Sequence, residues 1–370
     1  MINFEDRLAR LKNRRQGTAE RDRIEKGLYS FAGDQRTVEA HEKLHENAAI
    51  KYVIGAMAAV NAESTKISKN EGERVATTLI DLLKTAGINT EMRMQGSVAL
   101  DIHIEGHSDV DMLILKADVI TIQGPALTGT NYIDANDNRP MVDIVSEIRT
   151  QAEAKLKSRY HAAEVDTSGN KSISISGGSL KRKIDIVPSC WHDTHDYQRT
   201  KLDYLRAVKI YDKGNHSLIE NKPFLHIQKI DERDTVYSGN LKKVARLMKN
   251  VIADMPDYKK NKAKKLTSFD IASIAFSMNE RLLCSQYLPL TLLENLRSYL
   301  LILSYLDEPR NSLMVPDESR KIFNSEEKIE ALRILYTEIN DLAIAVQKTI
   351  SPYQEKYDGE TLKRKQVIFF

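Results

Sequence analysis

The sequence has few of the features that mark secreted, membrane or disulfide-rich proteins. Its 370 residues include only two cysteines, Cys190 and Cys284, which are far apart in the chain. No apolar run reaches the roughly 18 residues that a transmembrane helix needs. The N-terminus is charged and lacks the apolar core of a signal peptide. We therefore expect a cytoplasmic protein with reduced thiols and no membrane association.

The sequence also has little net charge, since 55 basic and 52 acidic residues leave +3 at pH 7. This balance does not favour a protein that coats nucleic acid, so nucleic-acid binding is not required. Basic residues are nevertheless concentrated in one region, where they suit either exposed helix faces or a polyphosphate ligand. They are Lys242, Lys243, Arg246, Lys249, Lys259, Lys260, Lys262, Lys264 and Lys265.

Apolar periodicity predicts helices on both sides of a first strand. Spacings of three and four predict a long helix over residues 37–61. Ser68 and Glu71 have the spacing of a capping box, which predicts the start of a second helix. A strand is expected near residues 89–95. A loop rich in glycine, asparagine and proline is expected over residues 116–140.

A second group of patterns predicts a β-hairpin and then helices. After a helix at residues 141–160, serine and isoleucine alternate up to Ser176, and a glycine pair precedes a strand at residues 181–187. Asp185 is expected on the face opposite its isoleucine neighbours, and Pro188 is expected to end the strand. Up to two more strands are expected within residues 203–219. Helices are then expected over residues 239–254, 268–284, 289–306 and 325–349.

Asp109 and Asp111 lie one residue apart where an apolar stretch begins. Alternation along a strand places both carboxylates on one face. Two such charges repel by about a kcal/mol or more when partly solvated, unless a cation lies between them. Oxygen ligands favour Mg²⁺ or Mn²⁺, so the pair predicts a metal site.

Two further features extend this prediction to phosphate chemistry. Asp185 would join the pair if its strand lies beside theirs, and three carboxylates could then hold two divalent ions for a displacement at phosphorus. Gly96 and Ser97 could hold a triphosphate, because glycine lets the backbone approach and a serine hydroxyl donates a hydrogen bond. A GlySer pair alone indicates only a turn. Together with Asp-x-Asp and a distal aspartate, it indicates a nucleotide site.

This combination resembles the polymerase-beta type of nucleotidyltransferase, whose signature is GlySer, Asp-x-Asp and a later aspartate. Residues 221–234, read as NKPFLHIQKIDERD, and residues 239–249, read as GNLKKVARLMK, narrow the resemblance to the bacterial cGAS/DncV-like nucleotidyltransferases, or CD-NTases. The resemblance covers about residues 40–306.

The resemblance implies an α+β fold with a catalytic lobe, built on a mixed sheet, flanking helices and a long N-terminal spine helix, and then a helical lobe. We divide the chain into a polar lead-in at 1–36, the catalytic lobe at 37–220, the helical lobe at 221–357 and a basic tail at 358–370. By resemblance, Asp109, Asp111 and Asp185 hold two Mg²⁺ or Mn²⁺ ions, and Gly96 and Ser97 bind the triphosphate. Lys249 and Ser268 match the family's donor-triphosphate residues.

The implied reaction joins nucleoside triphosphates, ATP among them, without a template. Its product would be a cyclic di- or trinucleotide second messenger of an anti-phage (CBASS) system. The alternatives are addition of nucleotides to an RNA 3′ end, synthesis of linear oligoadenylate, and a non-catalytic regulatory protein with the same fold. The sequence specifies neither the bases, the linkage nor a regulatory partner protein.

Overall fold

The computed structural model describes residues 3–25 and 38–368. The end of the predicted lead-in and the predicted helix start at residue 37 lie outside these ranges. The chain divides into two compact units. One, the sheet unit, comprises residues 62–100 and 108–229, and the other, the helical unit, comprises residues 1–61, 101–107 and 230–370.

The described chain is mainly helical and carries one mixed sheet. The helices are α1 (Phe4–Glu25), α2 (Ala40–Lys43), α3 (Ala48–Met57), α4 (Ala62–Lys84), α5 (Gly96–Ala99), α6 (Met141–Arg159), α7 (His195–Thr200), α8 (Pro223–Val236), α9 (Asn240–Ala253), α10 (Asp257–Ala263), α11 (Ser268–Phe276), α12 (Leu290–Tyr305), α13 (Asp307–Ser312), α14 (Glu326–Ile350) and α15 (Gly359–Arg364). The strands are β1 (Thr90–Gln95), β2 (Val110–Ile122), β3 (Glu164–Asp166), β4 (Ile173–Ser176), β5 (Ile184–Asp193), β6 (Ala207–Asp212) and β7 (Ser217–Asn221).

The sheet follows the order β1-β2-β5-β4-β3, and β6 pairs with both β5 and β7. Strands β2 and β5 run parallel, while the other neighbouring strands run antiparallel. The mixed sheet was predicted, and so was the β4–β5 hairpin. Strand β2, which carries Asp111, therefore lies between β1 and β5.

Two helices, α4 and α6, cover one face of this sheet with apolar side chains. This core contains Val75, Leu79, Val110, Met112, Ile114, Ile148, Leu156, Ile173, Ile175, Ile184 and Ile186. Every second residue of a strand points to the same face. The intervening residues of β2 and β5 therefore point away from α4 and α6. Asp111 and Asp185 are among these residues.

The helical unit has a core of its own, formed largely by α9, α12 and α14. Helix α14 buries one apolar stripe that was predicted from its spacing, and Leu332, Leu335 and Ile339 are fully buried. Burying such a stripe is the main reason that an amphipathic helix is stable in a protein.

The run of lysines in the helical unit is largely neutralised by acidic partners. The ion pairs are Lys242–Asp231, Lys259–Glu338, Lys260–Asp257, Lys262–Glu330 and Lys265–Glu327. The density of lysines in the sequence therefore overstates the positive charge that this region offers to a polyanion.

Four predictions about helix and loop boundaries were wrong. The long helix over residues 37–61 is divided into α2 and α3, because Asn47 caps α3 by accepting a hydrogen bond from the backbone of Ile50. Ser68 and Glu71 do not begin a helix, since both lie inside α4 and the Ser68 hydroxyl donates to the carbonyl of Ser64. The predicted helix over residues 268–284 ends at Phe276 and is followed by a short 3₁₀ turn. Residues 116–122 extend β2 and are not part of the following loop.

Pro188 was predicted to end its strand, but β5 continues to Asp193. The reason lies in the neighbouring strands. On the edge away from β2, strand β4 pairs with β5 up to Ile186, and β6 begins its pairing at Ser189. Pro188 falls between these two ladders on that edge, a position that tolerates proline, while the pairing with β2 continues through it.

No helix within the described ranges combines the length and the apolar character that crossing a bilayer requires.

Candidate active site

Asp111 and Asp185 are direct neighbours across the parallel pair of strands β2 and β5. The residues on either side of each aspartate, such as Val110 and Ile184, are fully buried in the core beneath α4 and α6. Both carboxylates therefore project from the opposite face of the sheet, as was predicted for Asp185. The register brings together two acidic residues that are 74 positions apart in the sequence.

The GlySer turn lies directly against Asp111. Strand β1 ends at Gln95, which pairs with Asp111, and Gly96 follows with a φ of +77°. A Cβ atom added to Gly96 would overlap Asp111 Oδ2, so the carboxylate or the turn would have to shift. Ser97 is buried in the same short turn. The spatial link between the GlySer pair and the aspartates thus depends on the absence of a side chain at residue 96.

Asp109 lies one residue before β2 and contacts Lys183 on the neighbouring strand segment. Lys183 Nζ donates to Asp109 Oδ2 at 2.8 Å and lies 3.9 Å from Asp185 Oδ1. The hydrogen bond to Asp109 raises the pKa of Lys183, and the charges of Asp185 and Asp111 act in the same direction. The ammonium group therefore lies between two of the three carboxylates.

Ser174 on β4 fixes the orientation of Asp185, because its hydroxyl donates to Asp185 Oδ1. Burial raises the pKa of Asp185, and the charges of Asp109 and Asp166 add to this effect. The hydrogen bond from Ser174 and the charge of Lys183 act against it. Asp185 is thus held in a partly desolvated position where a neutralising cation is favourable.

The oxygen atoms of Asp109, Asp111 and Asp185 are suitable ligands for a divalent cation, but the three carboxylates do not converge on a single position. Among the described residues, no group of three or more His, Cys, Asp or Glu side chains converges as a metal site. The donors are all carboxylate oxygens, which Mg²⁺ and Mn²⁺ prefer. Lys183 Nζ already provides one positive charge between Asp109 and Asp185. The position between Asp109 and Asp185 therefore accommodates a positive charge, which in this structure is the Lys183 ammonium group.

The two candidate residues of the helical unit lie on helices that pack together, α9 and α11. Lys249 is buried near the end of α9. Ser268 is the first residue of α11 but does not cap it, because Thr267 and Asp270 form the capping box. The hydroxyl of Ser268 is therefore not the group that satisfies the start of the helix.

Two residues of the aspartate cluster, by which we mean Asp109, Asp111, Asp185 and their neighbours Lys183 and Ser174, were missed in the sequence. Ser174 lies on the strand in which serine and isoleucine alternate. It could have been found from the predicted hairpin, because it is a polar residue that pairs with Asp185 on the next strand. Lys183 is two residues from Asp185, so the same strand period places it on the same face. Either residue could have been found by extending the strand pattern outward from Asp185.

No family model matches the chain. The cyclic dinucleotide synthase CdnE of Yersinia aleksiciae is 34% identical to it, over 99% of this chain and 99% of the relative. The solved structure of a STING-associated CdnE c-di-GMP synthase from Capnocytophaga granulosa has a TM-score of 0.69 at 28% identity. That similarity covers 94% of this chain and 99% of the other.

A more distant structure has the same fold. It is the Rhodothermus marinus CdnE c-UMP-AMP synthase with Apcpp and Upnpp, which gives a TM-score of 0.59 at 16% identity, over 82% of this chain and 97% of that one. At this identity the likeness supports the fold alone.

Proposed function

Because this chain belongs to the bacterial CD-NTases, the family of its CdnE relatives, we propose that it joins two nucleoside triphosphates into a cyclic dinucleotide. The enzyme class is that of a nucleotidyltransferase, and the α+β fold predicted for it is confirmed. One observation carries the site assignment: Asp111 is paired with Asp185 on one side and touches the turn of Gly96 on the other. This arrangement places acidic groups beside a backbone turn suited to phosphate.

In the proposed reaction, a ribose hydroxyl attacks the α-phosphorus of a nucleoside triphosphate, the new P–O bond forms and pyrophosphate leaves. A second attack of the same kind closes the ring. The Gly96–Ser97 turn binds the triphosphate through backbone N–H groups and the Ser97 hydroxyl. Ser174 keeps Asp185 oriented towards the shared face.

Asp109, Asp111 and Asp185 are the residues that would hold divalent metal, for which we propose two Mg²⁺ or Mn²⁺ ions. Bound metal would lower the pKa of the attacking hydroxyl and neutralise charge on the leaving pyrophosphate. The chain itself contributes orientation, because Lys183 donates to Asp109 and Ser174 donates to Asp185, while the lack of a side chain at Gly96 leaves room for the Asp111 carboxylate.

The substrates we propose are nucleoside triphosphates, ATP among them. The relatives' names do not agree on one product, since the Yersinia protein is named only a cyclic dinucleotide synthase and the Capnocytophaga enzyme is named a c-di-GMP synthase. We therefore propose a cyclic dinucleotide and leave its two bases to measurement. The Capnocytophaga enzyme is named as STING-associated, which supports our proposal that the product of this chain is an anti-phage second messenger that activates an effector.

Purified protein with Mg²⁺ or Mn²⁺ and the four nucleoside triphosphates is expected to form a phosphatase-resistant dinucleotide. Resistance follows because ring closure leaves no terminal phosphate. Mass spectrometry after phosphatase treatment identifies both bases, and omission of one nucleotide at a time is the matched control. Products that phosphatase degrades completely would instead favour the linear or RNA 3′-end alternatives.

Lys249→Ala is expected to raise the apparent KM for the donor triphosphate about tenfold or more, because a hydrogen bond to a charged group contributes roughly 1.5–3 kcal/mol. Initial rates at varied triphosphate concentration test this expectation. Lys262→Ala is the control, because it removes an exposed lysine of the same unit that is already paired with Glu330. Equal KM values in the two variants would remove Lys249 from triphosphate binding.

A further inference from the structure

Lys183 lies outside the family signature, and the proposed function uses it only to orient Asp109. Its Nζ lies 2.8 Å from Asp109 Oδ2 and 3.9 Å from Asp185 Oδ1. It therefore touches one proposed metal ligand and stands close to a second. The Lys183 side chain is 44% exposed.

We propose that Lys183 is a positioning residue that substitutes for metal: its ammonium group holds Asp109 and Asp185 until a metal-bound nucleotide displaces it. This inference rests on the proposed function, since it takes the two aspartates as metal ligands. The residue acts through the ligands and makes no contact with the reacting atoms in this role.

The physical basis is a competition between two cations for the same oxygens. Without any cation, Asp109, Asp111 and Asp185 would repel one another and their side chains would separate. Lys183 supplies a single charge and prevents this. The ion pair is nevertheless weak, because Asp109 and Lys183 are 39% and 44% exposed and exposed pairs are screened by water. A divalent ion, with twice the charge and shorter bonds to oxygen, can replace it.

The arrival of nucleotide would assist this exchange. A triphosphate carries several negative charges and offers the released ammonium group a new partner, for which a flexible lysine is well suited. Free metal, in contrast, must displace Lys183 without such compensation. Metal binding would therefore be weaker in the absence of nucleotide than the carboxylates alone would allow.

The test is direct measurement of Mn²⁺ binding to the whole chain without nucleotide, by the electron paramagnetic resonance signal of free Mn²⁺. Lys183→Met keeps the length of the side chain and removes its charge. It is expected to bind Mn²⁺ about threefold to tenfold more tightly than the wild type, as expected for removal of a screened competing charge. Lys183→Arg retains the charge and is expected to keep the weaker, wild-type affinity.

Lys213→Met is the matched control. Lys213 is also 44% exposed in the sheet unit and forms a 2.9 Å ion pair with Glu153, whose exposure of 19% equals that of Asp185. Its removal is expected to leave Mn²⁺ affinity unchanged. A second measurement, the rise in melting temperature on adding Mn²⁺, should be larger for Lys183→Met than for the wild type, because tighter binding stabilises the folded state more.

Unchanged or weaker Mn²⁺ binding in Lys183→Met would overturn the inference, as would equal tightening in Lys213→Met. An absence of Mn²⁺ binding by Lys183→Met would overturn it as well. The proposed function is judged separately by the product assay. Tighter binding in Lys183→Met with no cyclic product from the wild type would support the role of Lys183 and reject the synthase reaction.

Discussion

Asp111→Asn is expected to reduce cyclic product formation by about 10³-fold or more. This loss is larger than the ~10–100-fold that is typical when a residue hydrogen-bonded to a metal ligand, rather than the ligand itself, is removed. Asparagine has nearly the same shape but presents a neutral oxygen, which is a poor ligand for Mg²⁺ or Mn²⁺. Asp111 is also the residue that pairs with Asp185 and contacts the turn of Gly96. We therefore expect the reaction to need the charge of Asp111.

Folding should survive this substitution. Asp111→Asn removes one of several neighbouring negative charges, so the free energy of unfolding is expected to stay the same or rise slightly. Thermal melting measures this, and quantitative mass spectrometry of the product measures activity. Asp118→Asn is the control, because Asp118 lies on the same strand and has an exposed carboxylate that pairs with the buried Lys116. Similar activity in the two variants would remove Asp111 from the reaction.

Gly96→Ala is expected to lower activity about 100-fold, the size of effect that a displacement of roughly 1 Å can have on a reacting group. The added Cβ would overlap Asp111 Oδ2, so either the turn or the carboxylate must move. The φ of +77° adds strain, since adopting this left-handed conformation costs an L-residue about 1–2 kcal/mol of stability. We expect the turn, the carboxylate or both to leave the positions that the proposed reaction needs.

Gly87→Ala separates the clash from the backbone strain. Gly87 has the same φ of +77°, also lies in the sheet unit, and has no atom within 4 Å of an added Cβ. Its variant is expected to lose a similar amount of stability from the backbone but to retain activity. Melting temperatures and initial rates of both alanine variants test this pair. Equal activities would mean that the contact between Gly96 and Asp111 does not matter for the reaction.

These two expectations follow from the way in which three strands meet at one edge of the cluster. Strand β1 brings Gly96, β2 brings Asp111 and β5 brings Asp185. A change at Gly96 acts on Asp111 through direct contact, and Asp111 is the register partner of Asp185. The effects of Asp111→Asn and Gly96→Ala should therefore be less than additive when combined, because both act on the same carboxylate.

The sequence by itself determined the features that depend on neighbouring residues. The spacing of Asp109 and Asp111 and the position of Asp185 between Ile184 and Ile186 predicted which face each carboxylate occupies, because alternation along a strand is a local property. The α14 stripe was likewise readable, since helical spacing shows which face is buried. Even the resemblance rested on short motifs, and the relatives confirm the family to which those motifs pointed.

Only the tertiary structure decided which distant residues meet. The register of Asp111 with Asp185, the contact of Gly96 with Asp111 and the positions of Lys183 and Ser174 depend on pairing between strands. Pro188 shows the same dependence, because whether it ends β5 is set by where β4 and β6 stop and start. The physical reason is that strand pairing joins residues far apart in the chain, and its register is selected by the packing of a whole sheet face rather than by any single segment.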